Sequence, residues 1–185
     1  MKRICGIDEA GRGPLAGPVT AAAVVLPEDF PRSILKDSKA LSLQARIKAE
    51  ILLRRAAVCF SIGWAWPGEI DVLNIHNASL LAMKRALFSL PPVFSEVQVD
   101  GKYTFPCEYP ISAVIKGDSK VSEIMAASIL AKNARDRWME HYANIDTRYG
   151  FEKHKGYPTK EHRKSVLLYG PSVIHRKSYR ISSPE

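Results

Sequence analysis

The sequence predicts an α/β domain in which one mixed five-stranded sheet is flanked by helices, followed by a basic helical extension at the C-terminus. Short strand-like runs alternate with helical patterns in the order β-β-α-β-α-β-β-α, and no repeat or low-complexity tract interrupts them. The 185 residues suffice for one domain with a sizeable core. We expect residues 1–145 to form that core and residues 146–185 the extension, within one globular unit.

Five strands and three main helices account for the core. The strands are predicted at 3–7, 19–26, 57–66, 94–99 and 111–115. One helix is predicted to begin at about residue 42, and two more are predicted at 69–88 and 120–142. In the first helix, Leu43, Ile47 and Ile51 recur at i, i+4 spacing, which indicates an apolar face. Beyond residue 145, Thr159 is expected to open one helix of the extension.

Charge and glycine are concentrated where the first strand ends, in Gly6-Ile7-Asp8-Glu9-Ala10-Gly11-Arg12-Gly13-Pro14. Consecutive carboxylates on a strand point to opposite faces. The two glycines let the backbone approach a ligand closely, and the arginine offers a planar fork suited to a phosphate. Together these features favour metal-dependent phosphate chemistry, although an exposed acidic turn shaped by glycines is the alternative that this stretch alone leaves open.

Two further carboxylates stand where other strands end. Asp100 closes the fourth strand beside a glycine, and Asp118 follows the fifth strand at the start of the long helix. Taken singly, Asp118 is equally well a helix N-cap and Asp100 a turn residue. If the four acids converge on one edge of the sheet, their mutual repulsion and all-oxygen ligands favour Mg²⁺ or Mn²⁺ over zinc, with two ions serving phosphate hydrolysis.

The net charge of +8 arises mainly from the C-terminal segment, which indicates a nucleic-acid partner. Residues 148–180 carry nine basic side chains against two acidic ones, with three histidines and several aromatic residues interleaved. A solvated charged helix is the alternative. No apolar run approaches the ~20 residues that span a bilayer. The three cysteines have no CxxC pair and the N-terminus has no signal-peptide pattern, so we expect a cytoplasmic monomer with no membrane association.

Over nearly its whole length the chain resembles the bacterial ribonuclease HII family, the type 2 ribonucleases H. The opening motif continues through Pro14-Leu15-Ala16-Gly17-Pro18-Val19, and Val99-Asp100-Gly101 and Lys116-Gly117-Asp118 look like the second and third acidic motifs. The segments 126–132, 135–136, 154–159, 170–172 and 175–176 resemble the family's long helix and C-terminal segment. Met125 and Asn133-Ala134 depart from the commoner family pattern, and we expect Arg135 and Asp136 to form a structural ion pair.

The resemblance implies a ribonuclease H-like fold and a metal-dependent endonuclease that hydrolyses the RNA strand of RNA–DNA hybrids. It further implies cleavage on the 5′ side of single ribonucleotides embedded in duplex DNA, leaving 3′-hydroxyl and 5′-phosphate ends, and hence removal of misincorporated ribonucleotides. By matching position, the catalytic, metal-binding acids would be Asp8, Glu9, Asp100 and Asp118. Substrate-binding roles would fall on Gly11, Arg12, Gly13, Lys39 and Tyr157.

Two other functions compete with this interpretation. A type 3 ribonuclease H would share the fold and prefer longer hybrids, but Gly11-Arg12-Gly13 argues against it. A non-catalytic module that binds hybrid duplexes would keep the basic extension, but the four acids count against it. Cleavage of a duplex with a single ribonucleotide would distinguish a type 2 from a type 3 enzyme. Metal-dependent turnover would distinguish an enzyme from a non-catalytic binding module.

Overall fold

The structure is a computed structural model that describes residues 3–35 and 42–180. Its five strands are β1 (Ile4–Ala10), β2 (Val19–Val25), β3 (Cys59–Ala65), β4 (Glu96–Asp100) and β5 (Ile111–Val114). They form one mixed sheet in the order β3-β2-β1-β4-β5. β1 is antiparallel to β2 and parallel to β4, so the central strand joins an antiparallel half of the sheet to a parallel half.

The described part of the chain also contains five α-helices. They are α1 (Leu43–Ala56), α2 (Pro67–Phe88), α3 (Ser122–Ile145), α4 (Phe151–His154) and α5 (Lys160–Tyr169). Ser42 and Thr159 cap α1 and α5, because each side chain accepts a hydrogen bond from a first-turn amide. The order of elements predicted from the sequence is confirmed, with short 3₁₀ turns added at Arg32–Leu35 and Gly117–Ser119.

The sheet is covered on both faces. On one face α2 packs mainly against β2 and β3, and its Ile70, Ala82 and Leu87 belong to an apolar cluster that includes buried side chains of β1, β2 and β4. On the other face α3 lies very close to β1, because a Cβ atom added at Gly6 would stand only 2.3 Å from the carbonyl carbon of Glu123. That close approach requires glycine, and it places the long helix directly behind the carboxylates that follow on β1.

The apolar face predicted for α1 is wrong. Leu43, Ile47 and Ile51 are 59%, 43% and 47% exposed. The helix instead buries Leu53 and the carboxylate of Glu50. That carboxylate accepts hydrogen bonds from the side chains of Arg54, Arg137 and Asn133. A polar network therefore replaces the expected apolar contact. Asn133, where the sequence departs from the commoner family pattern, is part of this network.

Helix α2 is interrupted in a way that the sequence pattern does not indicate. Asn74 has φ 65° and ψ 165°, outside the helical region, so two helical segments meet there. Its Oδ1 accepts a hydrogen bond from the amide of Asn77 at 3.1 Å, which restarts the helix as an N-cap would. Before the break, Asp71 accepts bonds from the Lys177 and Ser178 amides and so ties the C-terminal segment to α2.

The residues after 145 contribute to a separate apolar cluster. Tyr149, Phe151, Val166 and Ile174 are buried there together with Ala16 and the α3 residue Met139. The expectation that the aromatic and histidine side chains of this segment form a binding surface is therefore wrong for four of them, since His162 and His175 are buried like Tyr149 and Phe151. The division at residue 145 stays a prediction. Among the described residues, no helix is long and apolar enough to cross a membrane.

Candidate active site

The consecutive carboxylates of β1 lie on opposite faces of the strand, as their alternation predicts. Asp8 is 5% exposed, faces α3 and forms a side-chain hydrogen bond with Ser128. Its Oδ1 also accepts the Glu9 amide at 2.7 Å. Glu9 is partly exposed and pairs with Arg12, with Oε1 3.2 Å from Nη1. Asp8 is thus held against α3, and Glu9 is held against the loop that follows β1.

Asp100 and Asp118 meet across the parallel half of the sheet. Asp100 ends β4, and its Oδ1 accepts the Gly117 amide at 2.7 Å and the Asp118 amide at 3.4 Å. Asp118 lies in the 3₁₀ turn after β5 and is 5% exposed. It is therefore not the N-cap of α3, which Val121 provides. We call Asp8, Glu9, Asp100 and Asp118 the acidic edge.

Burial and mutual repulsion disfavour the charged forms of the β1 acids. Burial raises the pKa of Asp8 well above its ordinary value, and the charges of Glu9 and Asp100 add to the effect. Burial also raises the pKa of Glu9, although the neighbouring Arg12 opposes the shift. Because a cation would reverse both costs, these oxygens suit a hard divalent ion. Among the described residues, however, no three His, Cys, Asp or Glu side chains are gathered closely enough to form a metal site.

Beside the acidic edge, a cavity of about 440 Å³ brings together the predicted substrate-binding residues. Its lining includes Glu9, the glycine turn (Gly11-Arg12-Gly13) and Tyr157. A Cβ atom added at Gly13 would meet only Tyr157 Cε1, at 3.9 Å, so this glycine faces open space. Lys39 lies outside the described residues.

The cavity also contains residues that sequence reasoning missed. Arg46 of α1 and Ser128 and Lys132 of α3 also line it. Asp136 binds Lys132 at 2.6 Å and Arg46 at 3.4 Å, so the predicted ion pair between Arg135 and Asp136 is wrong. The signal available in the sequence was the i, i+4 spacing of Lys132 and Asp136 on one helix.

Two buried histidines, His162 and His175, form a hydrogen-bonded chain that ends at the backbone carbonyl of Tyr157. The His162 Nδ1 lies 2.9 Å from the Tyr157 carbonyl oxygen, and the His162 and His175 Nε2 atoms lie 3.0 Å apart. Burial lowers the pKa of each of these two histidines to about 4. His162 must therefore donate to Tyr157 and accept from His175, whose Nδ1 in turn accepts the Ser172 amide. Only neutral imidazole rings at His162 and His175 can make all of these hydrogen bonds.

Comparison with known proteins identifies the family. The model of the family described as Ribonuclease HII matches residues 5–182. The chain belongs to the ribonuclease HII family. It is 47% identical over 176 residues to the ribonuclease HII of Nitrosospira multiformis, covering 95% of this chain and 88% of that protein. It is 48% identical over 179 residues to that of Nitrosococcus oceani, covering 97% and 89%. The protein is accordingly a hydrolase, an endonuclease of the ribonuclease H type.

Solved structures place the fold in the same group. The ribonuclease H2 of Pyrococcus horikoshii superposes with a TM-score of 0.81 at 28% identity, covering 97% of this chain and 94% of that one. A ribonuclease HIII solved in complex with Mn²⁺ superposes with a TM-score of 0.69 at 15% identity, covering 91% of this chain and 63% of that one. The predicted ribonuclease H-like fold is thus confirmed, and the likeness to the type 3 enzyme shows the fold alone.

Proposed function

We propose that this ribonuclease HII cuts duplex DNA on the 5′ side of a single embedded ribonucleotide, as well as the RNA strand of RNA–DNA hybrids, in a metal-dependent reaction that leaves 3′-hydroxyl and 5′-phosphate ends. Its role would be the removal of misincorporated ribonucleotides by a cytoplasmic monomer. The observation that carries the proposal is the contact between the acidic edge and the glycine turn, made by Glu9 and Arg12. The acids proposed to catalyse hydrolysis therefore lie next to the turn proposed to recognise the ribose.

The acidic edge would supply the ligands for one or two Mg²⁺ or Mn²⁺ ions. Its all-oxygen donors and the raised pKa values of Asp8 and Glu9 support this assignment. The ribonuclease HIII solved with Mn²⁺ agrees with it. When bound, the ions would activate a water and stabilise the departing 3′-oxygen. Ser128, which hydrogen-bonds Asp8, would keep that carboxylate oriented.

The cavity beside the acidic edge would hold the nucleic-acid strand at the ribonucleotide. The 2′-hydroxyl is what distinguishes RNA from DNA at one position, and backbone groups of the glycine turn can reach it because Gly13 leaves space in front of them. Tyr157 would stack on the sugar of the following nucleotide. Arg12 is half exposed and would exchange Glu9 for a phosphate when substrate binds.

Three more cations would contact phosphates around this position. Lys132 and Arg46 line the cavity and are held together by Asp136, so their charges are fixed near the strand. Lys39 keeps the phosphate contact that its motif implies. This distribution supports catalysis on a duplex over simple binding, because the cations stand beside the acids instead of forming a separate surface.

The test is a labelled DNA duplex with one ribonucleotide, incubated with Mg²⁺ or Mn²⁺ and with EDTA as the control. A single cut 5′ of the ribonucleotide that EDTA abolishes is the expected result. Cleavage of long hybrids only would favour the activity expected of a type 3 enzyme, and binding without cleavage would contradict the proposal. Asp8→Asn should be inactive, whereas Asp146→Asn, which alters an exposed ion pair with Arg148, should cleave normally.

A further inference from the structure

Two arginines are the largest side chains fully buried in the described part of the chain. Arg135 of α3 is 0% exposed, and Arg176 of the C-terminal segment is 1% exposed. A buried charge is costly unless its donors are satisfied. Here the acceptors are the Tyr179 hydroxyl and six backbone carbonyl oxygens instead of carboxylates, and five of those carbonyls belong to the loop between β1 and β2.

Arg176 holds the inner side of the glycine turn. Its Nη2 donates to the Gly11 carbonyl at 2.5 Å, its Nη1 to the Arg12 carbonyl at 2.8 Å, and its Nε to the Gly17 carbonyl at 3.0 Å. The Tyr179 hydroxyl donates to the same Arg12 carbonyl at 2.6 Å. Two successive carbonyls of the turn are thereby directed toward the protein interior.

Arg135 holds the other side of this loop. Its three donor nitrogens bond, each within 3.0 Å, the carbonyl oxygens of Pro18, Ala16 and Lys155. A Cβ atom at Gly11, where φ is +96°, would lie 2.2 Å from Arg135 Nε. Gly11 is therefore required by the packing of this arginine and by its own backbone angle, a different reason from the one that applies to Gly13.

The direction of the carbonyls fixes the direction of the amides. In a planar trans peptide, N–H and C=O point opposite ways, so an inward Gly11 carbonyl turns the Arg12 N–H outward. By the same geometry the inward Arg12 carbonyl turns the Gly13 N–H outward. Within residues 3–35 and 42–180, neither amide has a hydrogen-bond acceptor. A positive donor on each carbonyl also polarises its peptide and strengthens the N–H as a donor.

We infer that Arg176 is a positioning residue that orients and polarises the Arg12 and Gly13 amides toward the ribonucleotide, with Arg135 holding the base of the same loop. Neither arginine touches the substrate in this account. The inference rests on the proposed function for its consequence, since the outward amides would contact the 2′-hydroxyl and a neighbouring phosphate. The orientation of the peptides is a property of the free protein and can be measured without cleavage.

The test substitutes Arg176→Lys, which keeps the charge but cannot present three donors in a plane. Arg148→Lys, an exposed arginine of the same segment, is the matched control. In ¹⁵N-labelled protein the Arg12 and Gly13 amide resonances should both shift upfield in Arg176→Lys, because both carbonyls lose a donor, and neither should move in Arg148→Lys. Tyr179→Phe removes a donor from the Arg12 carbonyl and none from the Gly11 carbonyl, although the lost hydroxyl also accepts from Arg176 Nη1 at 3.1 Å, so the Gly13 amide should shift more than the Arg12 amide.

Cleavage provides the second measurement. Relative to a long RNA–DNA hybrid, Arg176→Lys should lose about tenfold in kcat/KM on the single-ribonucleotide duplex, equal to about 1.4 kcal/mol. Unchanged amide resonances in a folded Arg176→Lys protein, or in Tyr179→Phe should the first variant fail to fold, would overturn the inference. A parent protein that leaves the single-ribonucleotide duplex uncut would overturn the proposed function while the resonance experiment still decides the positioning role.

Discussion

The acidic edge and the glycine turn adjoin one another but are stabilised in opposite ways. At the acidic edge, burial raises the pKa values of the consecutive acids Asp8 and Glu9, so the protein itself disfavours their charged forms. At the glycine turn, Arg176 and Arg135 fix the backbone through six hydrogen bonds to carbonyl groups. The difference fits the proposed function, in which the turn is preorganised for the substrate and the acids require a cation.

The largest effect is expected from Asp8→Asn, which removes a negative ligand from the acidic edge. Cleavage should fall at least about a thousandfold, because a catalytic metal supplies several kcal/mol of transition-state stabilisation. The free energy of unfolding should not decrease, since the substitution removes a buried repulsion with Glu9 and Asp100. Single-turnover kinetics and urea unfolding measure the two quantities. A variant that cleaves like the parent would refute the assignment of this ligand.

The two glycines of the turn should respond differently to alanine. Gly11→Ala should lower the free energy of unfolding by about 2–4 kcal/mol, because it combines a positive φ with a clash against Arg135. Gly13→Ala should change it by less than about 0.5 kcal/mol, since its Cβ would meet only Tyr157 at 3.9 Å. Its cleavage of the single-ribonucleotide duplex should nevertheless fall about 10- to 100-fold through misplacement of the substrate.

Metal addition should stabilise the acidic edge and leave the turn unaffected. Mn²⁺ at a concentration of 100 Kd should raise the free energy of unfolding of the parent by about 2.7 kcal/mol. Asp8→Asn should lose most of that gain, whereas Gly13→Ala should keep it. Thermal unfolding with and without EDTA provides the comparison, and an equal gain in all three proteins would place the ions elsewhere.

A smaller effect concerns the histidines behind Tyr157. Burial lowers the pKa of His162 and His175 from 6.5 to about 4, so the unfolded chain binds more protons than the folded protein between those values. Their contribution to stability is therefore complete above pH 6.5 and is lost as the pH falls toward 4. The free energy of unfolding in urea should be lower at pH 5 than at pH 7.5, by up to about 2 kcal/mol for each of the two histidines. His175→Gln should reduce the difference, and the exposed His141→Gln should not.

Much of the fold could be predicted because its signals are local. Strand ends, caps and turns are set by neighbouring residues, so the order of elements, the Thr159 cap and the strand-end position of Asp100 followed from the sequence, whereas Asp8 lies inside β1, which continues to Ala10. The inward side of α1 could not be predicted, since Glu50 is buried only because Arg137 and Asn133 of α3 satisfy it. An isolated helix pattern contains no information about such a partner.

The parts of the site that escaped prediction depend on distant contacts. Arginine is almost never fully buried, so composition places Arg135 and Arg176 at the surface. Their acceptors are carbonyl groups, which every residue has and no sequence pattern marks. Likewise Arg46 reaches the cavity only because α1 packs beside α3. Residues whose proposed role depends on their type, such as the four acids and Gly13, were easier to propose than residues that hold the backbone.

The most direct test asks whether the turn recognises the ribonucleotide without a working acidic edge. Asp8→Asn protein should bind a duplex with one ribonucleotide about tenfold more tightly than the same duplex made entirely of DNA, and the added substitution Gly13→Ala should abolish that preference. Fluorescence anisotropy with the two duplexes in EDTA measures it. Equal affinity for both duplexes in Asp8→Asn would contradict a preorganised turn, and would assign recognition of the ribose to the metal-bound acids instead.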